Sequence, residues 1–249
     1  MLKEVTLSLS GGGARGAYHL GVLHYLDEHN IKVKAICATS IGSIIGASYA
    51  AGVSPKKQLE ILKSAQIKKL FAFNYFKKSI FKVNMESTLI DELIPVSKLE
   101  DLKIPLHVTA VDLYAGRELY FDSGDIKTIC KASSALIPVF PAVKYENNLL
   151  ADGGVINHMP IQALKKYDYP IIGVNLHPLN YEKNKNTFLG NFKRSVFISV
   201  YSSANNVKEL CDFYISSQEI KKYSIFSLKN FDKLFELGYQ EAKKLLILD

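Results

Sequence analysis

The stretch Lys34–Gly52, KAICATSIGSIIGASYAAG, decides how the rest of the chain is read. It opens as a short apolar run, turns at Ala38-Thr39-Ser40-Ile41-Gly42, and continues in small and apolar residues. That order reads as strand, sharp turn and helix, with Ser40 at the apex. A serine so placed lifts its hydroxyl clear of the backbone at a helix N-terminus, the arrangement of a nucleophile elbow. Ala38 and Gly42 supply the small side chains that a tight turn and a closely packed helix need. The absence of charge from Ala35 to Pro55 also exceeds the roughly 18 residues of a membrane span. Its Thr39, Ser40, Ser43 and Ser48, with Gly42, Gly46 and Gly52, suit a buried strand and helix instead, and no transmembrane helix is expected.

Working outward, Glu4–Leu9 alternates as a strand and runs into the loop Ser10-Gly11-Gly12-Gly13-Ala14-Arg15-Gly16. A helical pattern follows from Ala17 to His29, with Asn30 as its stop. Two strands around one helix make a βαβ unit and hence a parallel sheet. Ser54 and Pro55 open a further helix to about Ile67. Lys68–Val83, KKLFAFNYFKKSIFKV, interleaves Phe71, Phe73, Tyr75, Phe76 and Phe81 with lysines. A helix is expected around Met85–Leu93. A strand at Ile104–Val111 pairs with Glu118–Phe121, and Ser123-Gly124-Asp125 caps a short helix. A hairpin joins Val143–Tyr145 to Leu149–Ala151, and Asp152-Gly153-Gly154 follows at once. Pro160 starts a helix to about Lys166, and Pro170–Leu176 is an apolar, central strand. From Asn191 to Lys222 the pattern is long and helical, and Phe231–Leu248 is a second helix. The whole of 1–249 reads as one α/β domain, with a variable segment at about 54–97 and a C-terminal helical region at about 191–249.

The net charge of +7 favours anionic partners, either nucleic acid or an acidic membrane surface. No recognised nucleic-acid fold accompanies it, so no nucleic-acid partner is expected. Cys37, Cys130 and Cys211 are odd in number, without CxxC or Cys/His spacing, which reads as a reduced, intracellular protein without structural zinc. MLKEVTLSLSGGGARG carries Glu4 and too short an apolar run for a signal peptide. The expected location is cytoplasmic, peripheral at the membrane.

A serine nucleophile needs a base for its proton and donors for the oxyanion that its attack creates. The backbone amides of Gly11, Gly12 and Gly13, between a strand and a helix N-terminus, are the candidate donors. Arg15 either contacts a substrate phosphate or anchors the loop through a carboxylate. Gly11, Gly13 and Gly16 also match a dinucleotide fingerprint, GxGxxG. That fingerprint expects an acid at the end of the second strand, where this chain has Cys37-Ala38-Thr39. The base is a histidine or a carboxylate. His19, His24 and His29 ride one helix at five-residue steps, do not share a face and make no metal site. His107 alternates within a strand. His158 and His177 follow Ser40 and Asp152, which leaves a Ser…Asp…His order open. Asp152-Gly153-Gly154 places an acid at a tight turn on the strand-end edge where sites of open parallel sheets gather.

Taken together, GGGARG near the N-terminus, the small-x-Ser-x-Gly elbow and the distal Asp-Gly-Gly resemble the patatin-like phospholipase family. Lys131-Ala132-Ser133-Ser134-Ala135 with Pro138, Phe140, Pro141 and Val143 is similar to the family's third block. Asp152-Gly153-Gly154-Val155 with Asn157 and Pro160 is similar to its fourth. The resemblance covers roughly Val5 to Val174. It implies a three-layer α/β/α sandwich with a mainly parallel sheet, and a serine lipid acyl hydrolase acting on phospholipids or other acyl lipids. It also implies a Ser40–Asp152 dyad without histidine, an acyl-serine intermediate, an oxyanion hole at Gly11–Gly13, and neither metal nor organic cofactor. A lone aspartate suits this task only when partial burial tunes its pKa. Ala38 stands where the family usually has glycine, and His158 where small polar residues are common. Lys68–Val83 falls where the family places variable segments, and its rings and ammoniums suit an anionic membrane surface. Two other readings stand beside this one: a catalytically silent lipid- or nucleotide-binding protein on the same scaffold, and a Ser-Asp-His triad esterase.

Overall fold

The computed structural model describes residues 2–64, 67, 71–73, 79, 81–83, 87–179, 186–202 and 207–246. It begins with the βαβ unit read from the sequence: β1 (Glu4–Leu9), α1 (Ala17–Glu28) and β2 (Lys32–Thr39), the strands parallel with Leu9 opposite Ala38. α1 ends where Asn30 takes a positive φ of 55°. The elbow then leads into α2 (Ile41–Ala50), and Ser54 caps α3 (Pro55–Lys63) by accepting from the Lys57 amide. Within the aromatic–lysine stretch, β3 (Phe71–Phe73) pairs antiparallel with β4 (Phe81–Val83). Apart from Ser79, the side chains of 68–83 lie outside the described residues, so the expected membrane-facing surface there does too. α4 (Thr88–Leu93) follows, shorter than the sequence suggested.

The later elements are β5 (Leu106–Asp112), β6 (Arg117–Phe121), α5 (Ile126–Ser133), β7 (Val143–Tyr145), β8 (Asn148–Asp152), β9 (Ile171–Val174), α6 (Phe188–Tyr201), β10 (Phe213–Ile215) and α7 (Phe231–Leu245). Two expectations fail here. The helix from Pro160 is a 3-10 helix at Gln162–Lys166. The long helix over Asn191–Lys222 is α6 followed by a strand: Phe213-Tyr214-Ile215 pairs in parallel with Ile172-Gly173-Val174, and Asp212 fixes that edge by accepting from the Ile171 amide at 2.7 Å. Sheet pairing between distant segments overrides the local helical periodicity.

Hydrogen-bonded neighbours in the eight-stranded sheet run β10-β9-β1-β2-β5-β8-β7, with β6 also on β5. From β10 to β5 the pairs are parallel; β6, β8 and β7 pair antiparallel, so the sheet is mixed. The main core lies on the face carrying Val5, Leu7, Leu9, Ile36 and Ala38, under α1, α2, α5 and α7. On the opposite face Ala35 and Cys37 are covered by Leu164 of the 3-10 helix.

One detail of register positions the site. β2 occupies an edge of β5 from Leu106 to Thr109, and β8 takes up the same edge from Ala110 to Asp112, running the other way. β6 spans Val108–Asp112 and so must hold the opposite edge. Thr39 therefore pairs with Thr109 and Asp152 with Ala110. Two strands of opposite direction meet end to end, and the residues that leave them, Ser40 and Asp152, come together.

Candidate active site

Ser40 has φ 55° and ψ −128°, a backbone conformation that non-glycine residues adopt only when their surroundings hold them there. The holding groups are identifiable. The Ser40 amide donates to Ser133 Oγ at 2.8 Å, and the Ser40 carbonyl accepts from the Ser43 amide and from Ser43 Oγ at 2.9 and 2.6 Å. Thr39 Oγ1 is bonded to Thr109 Oγ1 and to the Asn157 carbonyl, which ties the strand end to β5 and to the turn after β8. Gly42 lets α2 come this close: a Cβ there would lie 2.5 Å from the Leu9 carbonyl oxygen.

The turn so held points Ser40 Oγ at Asp152, with a hydrogen bond to Oδ2 of 2.7 Å. The other carboxylate oxygen accepts from the Gly154 amide at 2.8 Å. Burial raises the Asp152 pKa from 3.8 to about 6, against the lowering pull of those two bonds. Asp152 is thus a carboxylate with a basicity suited to proton transfer near neutral pH. Gly153 and Gly154 pack the turn against Thr109 and Thr39.

The glycine loop lies beside this pair. Gly11 packs against Ser40 and the His158 ring, and its amide donates to the His158 carbonyl at 3.3 Å. Gly13 takes φ 55°, and a Cβ there would lie 2.4 Å from the Ile225 carbonyl oxygen, a position closed to other residues. Among the described residues, the Gly12 and Gly13 amides have no hydrogen-bond acceptor. Arg15 is an anchor, but its partners are not a carboxylate: Nε donates to the Tyr223 carbonyl at 2.8 Å, and Nη1 donates to the Leu176 carbonyl and to His177 Nδ1 at 2.9 and 3.2 Å.

The histidines are placed differently from a triad base. Ser40 Oγ reaches Asp152 directly. Burial and the nearby His19 and Arg15 push the His158 pKa down to about 3, so its ring is a weaker base than Asp152. Burial also holds His177 well below its ordinary value; its Nδ1 accepts from Arg15 and its ring stacks on Tyr201 at 4.1 Å between centroids. His19 is buried in α1 with Nε2 bonded to the Ser10 carbonyl, and His107 meets Tyr167 on the other side of the sheet. No group of three or more His, Cys, Asp or Glu side chains among the described residues is placed to hold a metal ion. The strand end that the dinucleotide fingerprint would equip with an acid carries Thr39, already bonded as above.

A cavity of about 470 Å³ opens over Ser40 and Asp152. Apolar side chains dominate its lining, among them Ile41, Ile44, Leu62, Ile90, Leu93 and Phe231. The glycines, the elbow and the acid are legible in the sequence. The role of the Ser133 hydroxyl in the KASSA block is not, nor is the lining of the cavity by Tyr201, Ile225, Phe226, Leu228 and Phe231. Only the apolar spacing of those segments hinted at such a part.

The fold and the site together define an α/β protein that presents a strand–turn–helix serine to a buried carboxylate beneath a glycine loop. The model of the family described as patatin-like phospholipase matches residues 7–165, and the chain belongs to that family. It is 30% identical over 174 residues to an uncharacterized NTE family protein of Mycobacterium bovis, covering 69% of this chain and 46% of that protein. It is 24% identical over 286 residues to the lysophospholipase nte1 of Emericella nidulans, covering 98% of this chain and 18% of that one. The chain thus spans less than half the length of these curated relatives. Among solved structures, VipD from Legionella pneumophila shares the fold, with a TM-score of 0.57 at 15% identity, covering 98% of this chain and 66% of that one.

Proposed function

We propose that the chain is a serine lipid acyl hydrolase that cleaves carboxylic ester bonds of phospholipids or other acyl lipids. The observation that carries the reading is the 2.7 Å bond from Ser40 Oγ to Asp152 inside an apolar cavity. Family membership and a relative named as a lysophospholipase support the substrate class. Asp152 Oδ2 takes the hydroxyl proton as Ser40 Oγ attacks the ester carbonyl carbon. The amides of Gly12 and Gly13 stabilise the oxyanion, while Gly11, engaged with His158, shapes the loop. The intermediate collapses as Asp152 returns the proton to the leaving alcohol oxygen, leaving an acyl-Ser40 ester. Water then attacks that ester, Asp152 takes its proton, and the free fatty acid departs as Ser40 Oγ is reprotonated. No step uses a metal or organic cofactor. Such a protein works at the surface of its lipid, and no described helix is long and apolar enough to cross a membrane.

A fluorophosphonate probe tests the reading. The wild-type protein is expected to be labelled and Ser40→Ala is not. An intact, folded wild type that resists labelling overturns the hydrolase and leaves a silent binding protein. Full loss of turnover in a folded His177→Ala would replace the dyad by a triad.

A further inference from the structure

α6 is an anomaly in this molecule. Its inward residues Phe197 and Tyr201 meet His177, and Val200 and Tyr201 line the cavity. Its other face presents large apolar side chains to solvent: Phe188 is 89% exposed, Phe192 59% and Leu189 57%, with Val196 on the same side. Scattered exposed apolar residues need no explanation, but a run of them along one helix marks a contact surface. Helical spacing puts Phe188, Phe192 and Val196 in one stripe, at i, i+4 and i+8. Val155 and Ile156, in the turn on which α6 rests, add exposed apolar surface beside it.

We infer that the outer face of α6 docks on a lipid bilayer, with its aromatic stripe among the acyl chains and the cavity mouth turned to the membrane. The inference rests on the hydrolase reading for its choice of occupant, and two observations support that choice. First, the stripe and the cavity-lining Val200 and Tyr201 share one helix, so whatever covers the stripe lies against one wall of the cavity. Second, the sequence between Glu182 and Glu209 holds five Lys or Arg residues and no Asp or Glu, a charge pattern that fits anionic headgroups. A helix with apolar bulk on one side and only Lys193 and Arg194 as charged residues is suited to lie in the interface.

The test uses the full chain carrying Ser40→Ala, so that binding is read without turnover. Cosedimentation with mixed phosphatidylcholine–phosphatidylserine vesicles is expected, and the double variant Phe188→Ser/Phe192→Ser should lower partitioning at least tenfold. Leu245→Ser, an exposed apolar site at the far end of α7, should leave it unchanged. In the Ser40 protein the double variant should retain hydrolysis of a water-soluble short-chain ester while losing hydrolysis of vesicle lipid. Unchanged vesicle binding by the double variant overturns the inference. So does a dimer in sedimentation velocity that the double variant dissociates, since the stripe would then belong to a second copy. Failure of wild type to cleave either ester sinks the hydrolase reading alone, because the cosedimentation arm needs no chemistry.

Discussion

The two walls of the cavity are built on opposite rules. One wall comprises the glycine loop, α2 and the turn after β8. Its turns are built from small residues, its backbone is pinned by identified hydrogen bonds, and its one strained residue, Ser40, is held by Ser133 and Ser43. The other wall is α6, which carries bulky residues and attaches through ring contacts: Tyr201 on His177 and on His158, and Phe197 on His177. Both helices are rich in apolar residues. α2 turns nearly all of its own inward, while α6 leaves a stripe of them in water. The difference fits what each wall would do under the proposed hydrolase and docking readings. Bond-making chemistry tolerates little displacement of its groups. A surface that meets lipid needs apolar bulk outside and has no use for close packing there.

The largest effect should come from separating chemistry from stability on the first wall. Asp152→Asn is expected to lower kcat by about 10³ by removing the general base. It should not lower the melting temperature at pH 8. The sign follows from linkage: a folded-state pKa raised from 3.8 to about 6 means that the native protein holds the proton more tightly than the unfolded chain. Stability from this group is present at acid pH and is lost as pH rises through that window. The carboxylate at pH 8 is thus a strain on the fold, which asparagine relieves. A melting temperature that falls with activity would make Asp152 a structural residue and erase the contrast between the walls. The same pKa fixes the pH profile: kcat/KM should rise with pH through about 6 and level off above it, since only the ionised carboxylate accepts the Ser40 proton. A profile flat from pH 5 to 8 would remove Asp152 from the role of base.

Next in size is the packing of α2. Gly42→Ala would set a methyl carbon 2.5 Å from the Leu9 carbonyl oxygen and 2.9 Å from that of Ser10, both backbone atoms of the strand and loop that carry Gly11–Gly13. Neither flexes as a side-chain tip does. Denaturant unfolding should register a loss of roughly 2–3 kcal/mol, typical of overpacking a close contact. Activity should fall further than stability alone explains, because the elbow and the glycine loop would move apart. A variant with unchanged stability and turnover would show that this wall is looser than its hydrogen bonds imply.

These regions also differ in how far the sequence discloses them. The elbow, the glycine loop and Asp152-Gly153-Gly154 were legible because a tight turn or a close approach leaves few residue choices, and the constraint is written locally at Gly42, Gly13 and Gly154. The strands of the main sheet up to β9 are legible from alternation, and the β1–β2 pairing from the βαβ order, but the order of the rest is not. What stayed hidden depends on contacts between distant segments. β10 is three residues whose pairing with β9 is invisible to helical periodicity. The Ser133 hydroxyl that receives the Ser40 amide lies 93 residues away from it. Arg15 reads in the sequence as a phosphate contact or an anchor on a carboxylate; two of its three partners are carbonyl oxygens, which every residue possesses and no pattern announces, and the third is the His177 ring. The meeting of Ser40 and Asp152 is the subtlest case. Each residue stood out alone, but only the shared edge of β5 explains why two strands of opposite direction bring them together.

The smallest expected effect concerns α6. Phe188→Ser and Phe192→Ser remove large side chains that already face water. Phe188, 89% exposed, shows nearly the apolar surface it shows unfolded, so its hydrophobic contribution to folding largely cancels, while Phe192, 59% exposed, keeps part of its own. Phe188→Ser is expected to change unfolding free energy in dilute buffer by no more than about 0.5 kcal/mol, and Phe192→Ser to lower it by about 1 kcal/mol. The informative measurement is the same pair of values in the presence of vesicles. A partner that binds only the native state adds stability by mass action, so wild type should gain melting temperature with lipid and the variants should not. Destabilisation well beyond that range without lipid would mean that α6 is packed as firmly as α2, and the distinction between a fixed wall and a lipid-facing wall would fall.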